Sequence, residues 1–204
     1  MVIQAVFFDF GGVLGRLDRP MIADIESRYG IPEGALLKAL YGIPGWEEVQ
    51  IGKCPEEDWW GAVSRELERV AGRPVPGIQE EWGGIWSSMD PDVVSLAERL
   101  RESYIVGVLS NSTLRLEKEL LVGNGIHDIF HVVINSARVG IAKPDAGIYH
   151  HAAKAVDLEP SACVHIDDLP HNVEGAREAG FQAVHYAGDF PALEASLREL
   201  GVEW

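Results

Sequence analysis

The sequence is poor in cysteine and has no long apolar run. Its 204 residues include two cysteines, Cys54 and Cys163, which stand far apart and outside any metal-binding spacing. We expect two reduced structural thiols rather than a disulfide, as is usual in a reducing compartment. No stretch approaches the roughly 20 apolar residues that a membrane span needs. The sequence therefore predicts neither a disulfide-stabilised secreted domain nor a transmembrane protein.

Basic residues are also scarce, since 17 Lys and Arg stand against 32 Asp and Glu, for a formal net charge of -15 at pH 7. Such an excess of negative charge repels nucleic-acid phosphates and anionic headgroups, so we predict no nucleic acid and no membrane as partner. The apolar run Val2–Phe8 has no basic segment before it, and Asp9 ends it before it reaches the length of a signal peptide. We therefore expect a cytoplasmic protein in which any site for an anionic substrate is locally positive.

What the sequence does contain is a series of short, nearly continuous apolar runs, which indicates strands buried on both faces of a parallel sheet. Segments with helical periodicity separate these runs. Their alternation predicts an α/β fold, a Rossmann-like doubly wound parallel sheet with right-handed crossovers. The predicted strands are Ile3–Phe8, Tyr104–Leu109, Val132–Ile134, Ala162–Ile166 and Ala183–Tyr186, and the predicted helices between them are Pro91–Arg101, Leu114–Leu121, Asp145–Val156 and Asn172–Ala179.

The segment from Arg16 to Ser87 breaks this alternation, because it contains no buried-strand pattern. It is predicted to form consecutive helices at Met21–Tyr29, Pro32–Tyr41, Pro55–Ala71 and Ile78–Ser87, separated by clusters of proline and glycine. We predict two domains, a core of residues 1–15 and 88–204 and a helical cap of residues 16–87. Five of the six tryptophans lie in the cap, where we expect them mainly to fill its own hydrophobic core, a wall for a sugar substrate being the alternative.

Chemically reactive side chains follow the predicted strands, at the edge where doubly wound sheets bind their ligands. Asp9-Phe10-Gly11-Gly12 comes after the first strand, Ser110-Asn111 after the second, and Asp167-Asp168 after the fourth. Lys143-Pro144 stands in the loop that follows the third strand. Each group alone is common in turns and helix caps, because Asp, Asn and Ser accept hydrogen bonds from helix N-termini. Their joint placement on successive strand ends predicts one polar crevice.

These segments resemble the four motifs of the haloacid dehalogenase superfamily. The stretches Val108–Asn111, Ala142–Tyr149 and His165–Ala176 carry the likeness, which covers most of the chain outside the helical insertion. Within the superfamily the sequence looks most like the sugar-phosphate phosphatases related to bacterial α-glucose-1-phosphatase. The resemblance implies a Rossmann-like core with a helical cap after the first strand, and hydrolysis of a small phosphorylated metabolite with Mg²⁺ as cofactor.

The resemblance also implies a role for each motif residue at the metal. Asp9 would be the nucleophile that forms an aspartyl-phosphate. Asp9, the carbonyl of Gly11 and Asp167 would bind Mg²⁺, a hard cation that prefers oxygen ligands. Asp168 and Asn172 would support these ligands directly or through water.

Further residues would bind the phosphate. Ser110 and Asn111 would donate hydrogen bonds to it, and Lys143 would neutralise developing charge and hold Asp9 in place. The backbone N–H groups around Gly11 and Gly12 would form an anion-binding concavity.

The departure from the family pattern is Gly11, where most phosphatases of the superfamily carry an acid–base aspartate. Losing such a group should cost about 3–5 kcal/mol of barrier. An acidic leaving group, such as the anomeric hydroxyl of a sugar 1-phosphate, could compensate, as could a water, a cap side chain or His171. Two other functions stay open: a phosphotransferase such as a sugar phosphomutase, and a ligand-binding domain without turnover. Metal-free dehalogenation is disfavoured, because Asp167-Asp168 would add unbalanced negative charge.

Overall fold

A five-stranded parallel sheet forms the centre of the molecule in the computed structural model, which describes residues 2–86 and 88–204. Strands numbered along the chain are β1 (Ala5–Phe8), β2 (Gly15–Arg16), β3 (Ser88–Met89), β4 (Ile105–Ser110), β5 (Val132–Asn135), β6 (Cys163–Asp167) and β7 (Gln182–His185). The order across the sheet is β5-β4-β1-β6-β7, and each neighbouring pair is parallel. The predicted doubly wound sheet is confirmed. Because the strand order reverses beside β1, a ligand crevice is expected at its carboxyl end.

Helices cover both faces of this sheet. The α-helices of the described residues, including those away from the sheet, are α1 (Arg19–Tyr29), α2 (Ala35–Tyr41), α3 (Trp46–Val49), α4 (Glu56–Ala71), α5 (Ile78–Trp82), α6 (Pro91–Leu100), α7 (Ser136–Val139), α8 (Ala146–Ala155), α9 (Pro170–Glu178) and α10 (Phe190–Glu199). None of the helices within the described residues is both long and apolar enough to cross a membrane.

The alternation of side chains along β1 divides the core into two hydrophobic clusters. Val6 and Phe8 pack on one face with apolar residues of α6 and α10. Ala5 and Phe7 pack on the other face with residues of α8 and α9. Both faces of β1 are fully buried, which explains why its sequence is continuously apolar.

The helices α1 to α5 lie between β2 and β3 and bury a third hydrophobic cluster of their own. Trp60 is among its largest fully buried side chains. We propose that this cluster marks the cap at residues 16–87 as a domain separate from the core at 1–15 and 88–204. Met1 and Ser87, which end two of these ranges, lie outside the described residues.

The chain enters and leaves the cap through a two-stranded antiparallel ribbon, in which Gly15 pairs with Met89. The fully buried Asp90 fixes this ribbon. Its carboxylate accepts hydrogen bonds from the Arg16 guanidinium, with Nε at 3.0 Å, and from the Tyr186 hydroxyl at 2.9 Å. Asp90 also caps the N-terminus of α6, so one side chain joins the ribbon to the core.

Several elements differ from the sequence-based prediction. The helix predicted at Ile78–Ser87 is divided into α5 and a 3-10 turn at Gly83–Trp86, because the paired glycines weaken an α-helix. Leu116–Val122 forms a π-helix within the segment predicted as an ordinary helix. The helices α3, α7 and α10 were not predicted from the sequence. Most other ends shift by one or two residues.

Candidate active site

A cavity of about 710 Å³ lies between the cap and the carboxyl ends of the strands. From the core it is lined by the motif residues, and from the cap by aromatic and polar side chains. The core residues that line it include Asp9, Gly11, Gly12, Ser110, Asn111, Lys143, Asp168 and Asn172. The structure therefore brings together the predicted site residues in one crevice, with Asp167 buried directly behind them.

The centre of the site is a buried cluster of Asp9, Lys143 and Asp167. The Nζ atom of Lys143 lies 3.1 Å from Asp9 Oδ1 and 2.5 Å from Asp167 Oδ2, and it donates to the carbonyl of Leu109 at 3.0 Å. The side chains of Lys143 and Asp167 are fully buried, and that of Asp9 is one-tenth exposed. One ammonium therefore serves two carboxylates, and the cluster keeps an excess of negative charge.

This geometry perturbs the titration of the three groups. Burial raises the pKa of Asp9, and Lys143 opposes that effect. Burial acts the same way on Asp167, but Lys143 and His165 outweigh it and hold the pKa of Asp167 well below its usual range. Burial lowers the pKa of Lys143, but Asp9 and Asp167 more than compensate, so its pKa is raised and it stays charged.

The two neighbouring aspartates of the fourth motif, both predicted to lie at the metal, have different surroundings. Asp167 accepts hydrogen bonds from His165 Nε2 at 2.9 Å, from the Leu169 N–H at 2.9 Å and from Asn172 Nδ2 at 3.0 and 3.2 Å, besides Lys143. Its oxygens are thus occupied by protein donors. Asp168, expected to be the support, is the one that lines the crevice. His165, which is fully buried in β6, is a direct partner of Asp167.

Three carboxylates of the site nevertheless converge. Asp9, Asp167 and Asp168 each offer an oxygen within 4.8 Å of the other two. Burial and then the charge of Asp167 raise the pKa of Asp168. Such a concentration of hard, negatively charged oxygen atoms has the donor chemistry that suits a small divalent cation. Asn172 Oδ1 is also buried without a hydrogen-bond partner among the described residues.

Glycine is required at position 12 because of the backbone conformation and the closeness of Asp168, not because of its N–H group. Its φ of +78° is unfavourable for other residues, and a Cβ there would fall on the Asp168 carboxylate. The N–H of Gly12 donates to the carbonyl of Gly15 at 2.9 Å. In this geometry the Gly12 N–H is therefore not available for its predicted role of binding an anion. By contrast, neither the N–H nor the carbonyl of Gly11 makes a hydrogen bond within the described residues.

Ser110 and Asn111 at the end of β4 act on their neighbours. Burial raises the pKa of Asp9, and the side chain of Ser110 acts in the opposite direction with a smaller effect. The side chain of Asn111 pairs with the main chain of Lys143, accepting from its N–H at 2.8 Å and donating to its carbonyl at 2.9 Å. Asn111 therefore holds Lys143 in place, and one amide hydrogen remains for a substrate.

Comparison with known proteins identifies the family. The model of a haloacid dehalogenase-like hydrolase matches residues 3–180. The chain belongs to this family. A phosphatase of Mycobacterium tuberculosis is 30% identical over 192 residues, which cover 90% of this chain and 87% of that protein. D-ribitol-5-phosphate phosphatase of Bacteroides thetaiotaomicron is 24% identical over 193 residues, or 89% and 90% of the two chains.

Solved structures show the same fold. A haloacid dehalogenase family enzyme of Bacteroides thetaiotaomicron, in complex with magnesium, superposes with a TM-score of 0.73 at 22% identity, over 95% of this chain and 99% of that one. L-2-haloacid dehalogenase of Xanthobacter autotrophicus gives a TM-score of 0.69 at 18% identity, over 100% and 85%. The family resemblance and the Rossmann-like fold predicted from the motifs are confirmed, and the chain is a haloacid dehalogenase-like phosphatase acting on phosphorylated substrates.

The cap side of this phosphatase's crevice is an aromatic wall, defined as Tyr41, Trp46, Trp59, Trp82 and Trp86. Neighbouring rings contact one another, with centroids 4.9 Å apart for Tyr41 and Trp46 and 6.3 Å for Trp82 and Trp86. Trp59 and Trp82 also belong to the hydrophobic cluster of the cap. The tryptophans therefore fill the cap core, as predicted, and they line the crevice as well.

Polar residues of the crevice that the sequence did not reveal include Gln50, Glu56 and Arg115. Glu56 accepts a hydrogen bond from Trp60 Nε1 at 3.3 Å and lies 3.8 Å from Arg115, so that this pair bridges cap and core. No motif contains these residues. Only the acidic first turn of α4, where carboxylates are common for helix stability, marks Glu56 in the sequence.

Proposed function

We propose that this phosphatase hydrolyses a small phosphomonoester, preferably a sugar phosphate, in a Mg²⁺-dependent reaction with Asp9 as nucleophile. The observation that carries the proposal is the contact of 3.1 Å between Lys143 Nζ and Asp9 Oδ1 beside two further carboxylates. A carboxylate held against an ammonium at the mouth of a crevice can attack phosphorus while the positive charge attracts the phosphate.

The residues that would hold Mg²⁺ are Asp9, Asp168 and the carbonyl of Gly11. These three residues line the crevice, whereas Asp167 accepts hydrogen bonds from several protein donors and would act by positioning Lys143. Bound there, Mg²⁺ would supply the positive charge that two approaching anions need. Glycine at position 11 keeps its carbonyl, so the missing side chain leaves this ligand intact.

The protein's own groups then account for both halves of the reaction. An Asp9 oxygen forms a bond to phosphorus as the bond to the leaving oxygen breaks, which gives an aspartyl-phosphate. Water next attacks this phosphorus and releases Asp9 and inorganic phosphate. Lys143 and the free amide hydrogen of Asn111 would stabilise negative charge on the phosphoryl oxygens during both steps.

Two observations support the preference for sugar phosphates. Aromatic faces such as those of the aromatic wall can stack on the apolar faces of sugars, and Gln50, Glu56 and Arg115 offer hydrogen bonds to hydroxyls in the same cavity. A relative of similar length is named for the phosphate ester of a sugar alcohol. We also propose a cytoplasmic location, which the free thiols of Cys54 and Cys163 support.

The test is release of inorganic phosphate from p-nitrophenyl phosphate and from sugar 1- and 6-phosphates, with Mg²⁺ and with EDTA. We expect metal-dependent release that Asp9→Asn abolishes. Asp168→Asn should raise the Mg²⁺ concentration for half-maximal rate by more than about 100-fold, beyond the 10–100-fold typical of outer-sphere residues such as Asp167.

Retention of most activity by Asp9→Asn would refute the mechanism. Phosphoryl transfer between sugar positions without free phosphate would instead indicate a phosphotransferase, and binding of Mg²⁺ without turnover of any ester would indicate a ligand-binding domain.

A further inference from the structure

Position 11 lies two residues after the nucleophile, and the structure shows what occupies the space beside it. The backbone of Gly11 is outside the left-handed region, so its conformation does not require glycine. A Cβ at this position would meet the indole ring of Trp86, with Cη2 at 3.2 Å and Cζ3 at 3.8 Å. The first distance is tighter than ordinary contact, so the ring stands against the first atom of any side chain at position 11 and would have to shift by a few tenths of an ångström to admit it.

Trp86 is held in that place by its neighbours. Its ring lies 5.7 Å from that of Phe10 in a tilted arrangement and 6.3 Å from that of Trp82 in a perpendicular one. The Trp86 carbonyl accepts a hydrogen bond from Asn124 Nδ2 at 3.3 Å. A Cβ at Gly15 would also lie 3.3 Å from the ring. Glycines at positions 11 and 15 thus leave room for one indole packed against the loop after Asp9.

Other polar side chains of the crevice are the alternatives to a proton donor at position 11. Glu56 is already engaged by Trp60 and Arg115. His171 lines the cavity from the first turn of α9, where its side chain is exposed.

We infer that Trp86 is a specificity-determining residue, which occupies the place of a proton donor beside Asp9 and restricts fast turnover to phosphate esters of acidic hydroxyls. These are phenols and the anomeric hydroxyls of sugars. The inference rests on the proposed function and names its substrate class.

The chemistry follows from the first half-reaction. The Asp9 oxygen bonds to phosphorus, the bond from phosphorus to the leaving oxygen breaks, and that oxygen leaves with the electron pair. With an indole beside it, the leaving oxygen takes its proton from solvent water after departure. A phenol, with a pKa of about 10, forms a stable enough anion, whereas an ordinary alcohol does not.

The experiment measures kcat/KM at saturating Mg²⁺ for p-nitrophenyl phosphate, phenyl phosphate, glucose 1-phosphate and glucose 6-phosphate. In the unmodified enzyme, phenyl phosphate should exceed glucose 6-phosphate by at least about 100-fold, the lower end of what acid catalysis contributes. Gly11→Asp alone should leave this ratio high, because Trp86 blocks the new carboxylate. Gly11→Asp with Trp86→Ala should lower the ratio at least about tenfold, since part of the acid catalysis becomes available.

Gly11→Asp combined with Trp46→Ala is the matched control, because Trp46 belongs to the aromatic wall but lies outside the contacts of Gly11. Its ratio should stay high whatever its absolute rate. Circular dichroism and thermal unfolding establish that each variant is folded. If the Gly11–Trp86 double variant does not fold, two other measurements test the inference. They are the ratio of kcat/KM for phenyl phosphate to that for glucose 6-phosphate in the unmodified enzyme, and the kcat/KM values of the variant His171→Gln.

Three results would overturn the inference: equal kcat/KM for all four esters, a ratio lowered by Gly11→Asp alone, or a selective loss of glucose 6-phosphate turnover in His171→Gln. These results all leave the proposed phosphatase function standing. By contrast, a folded, Mg²⁺-binding enzyme that releases phosphate from none of the esters would refute the proposed function itself.

Discussion

Replacement of Lys143 by methionine tests the cluster on which the site is built. Methionine keeps the length of the side chain but removes its charge, and the lysine side chain is fully buried between Asp9 and Asp167. Removing one partner of a buried ion pair typically costs 3–5 kcal/mol, because the remaining charge is left uncompensated. We therefore expect the free energy of unfolding to fall by about 4 kcal/mol at pH 7 in EDTA.

The loss of stability caused by Lys143→Met should become smaller as the pH falls. In the unmodified protein the pKa of Asp167 lies below its unfolded value, so this group contributes stability above the unfolded pKa and loses it as pH falls through the folded one. Without Lys143, the folded pKa of Asp167 should rise above the unfolded value of about 3.9, and the pKa of Asp9, which burial already raises, should rise further. The folded variant then takes up protons as pH falls, so its deficit should be smaller at pH 5 than at pH 7.

The assay is urea unfolding at both pH values, with equal m-values required for the comparison. Lys154→Met is the matched control, because Lys154 lies on the exposed surface of α8 and its loss should change stability by less than about 0.5 kcal/mol. A cost below about 1 kcal/mol for Lys143→Met, or the same cost at both pH values, would refute the electrostatic account of the cluster.

Three further predictions concern other parts of the site. Gly12→Ala and Gly188→Ala both place a side chain at positive φ, which should cost Gly188→Ala about 1–2 kcal/mol in urea unfolding and Gly12→Ala at least as much, because its Cβ also meets the Asp168 carboxylate. Only Gly12→Ala should raise the Mg²⁺ concentration for half-maximal activity, because a Cβ at Gly188 meets nothing within 4 Å. Asp90→Asn should lower the free energy of unfolding by about 1–3 kcal/mol, since the half-exposed Arg16 and the Tyr186 hydroxyl lose a charged acceptor; an unchanged urea midpoint would contradict this. Stopped-flow mixing with p-nitrophenyl phosphate should show a burst approaching one nitrophenol per active site, because water attack on the aspartyl-phosphate also lacks a base at position 11 and should be the slow step. A linear trace from the first turnover would count against a slow second step.

The sequence predicts the sheet well because its strands are buried on both faces. The side chains of β1 and β6 are all buried, so a continuous apolar run marks β1, and an apolar run that only His165 interrupts marks β6 before Asp167. The helix α10 buries only Leu193 and Leu197, which is too weak a pattern to stand out, although Asp189 caps it. Because α10 is not part of a buried strand, the apolar runs that mark the strands do not reveal it.

The sequence predicts which residues form the candidate site better than it predicts how they are arranged. Asp167 and Asp168 are adjacent in the sequence, and only the path of the chain at the end of β6 decides which of them lines the crevice. The contact between Gly11 and Trp86 joins residues far apart along the chain, so no local pattern announces it. Sequence motifs identify the groups that take part, whereas long-range packing decides what each one faces.

The paired strands β2 and β3 have a consequence for protein engineering. Because Gly15 and Met89 are opposite each other, the chain leaves the sheet domain and returns to it at nearly the same point. Opposite residues in an antiparallel pair are about 4.5–5.5 Å apart, a gap that a tight turn can close. The whole helical segment is thus an insert at a hairpin tip, and we predict that exchanging it for that of a relative leaves the register of the strands that carry Asp9, Ser110 and Asp167 unchanged.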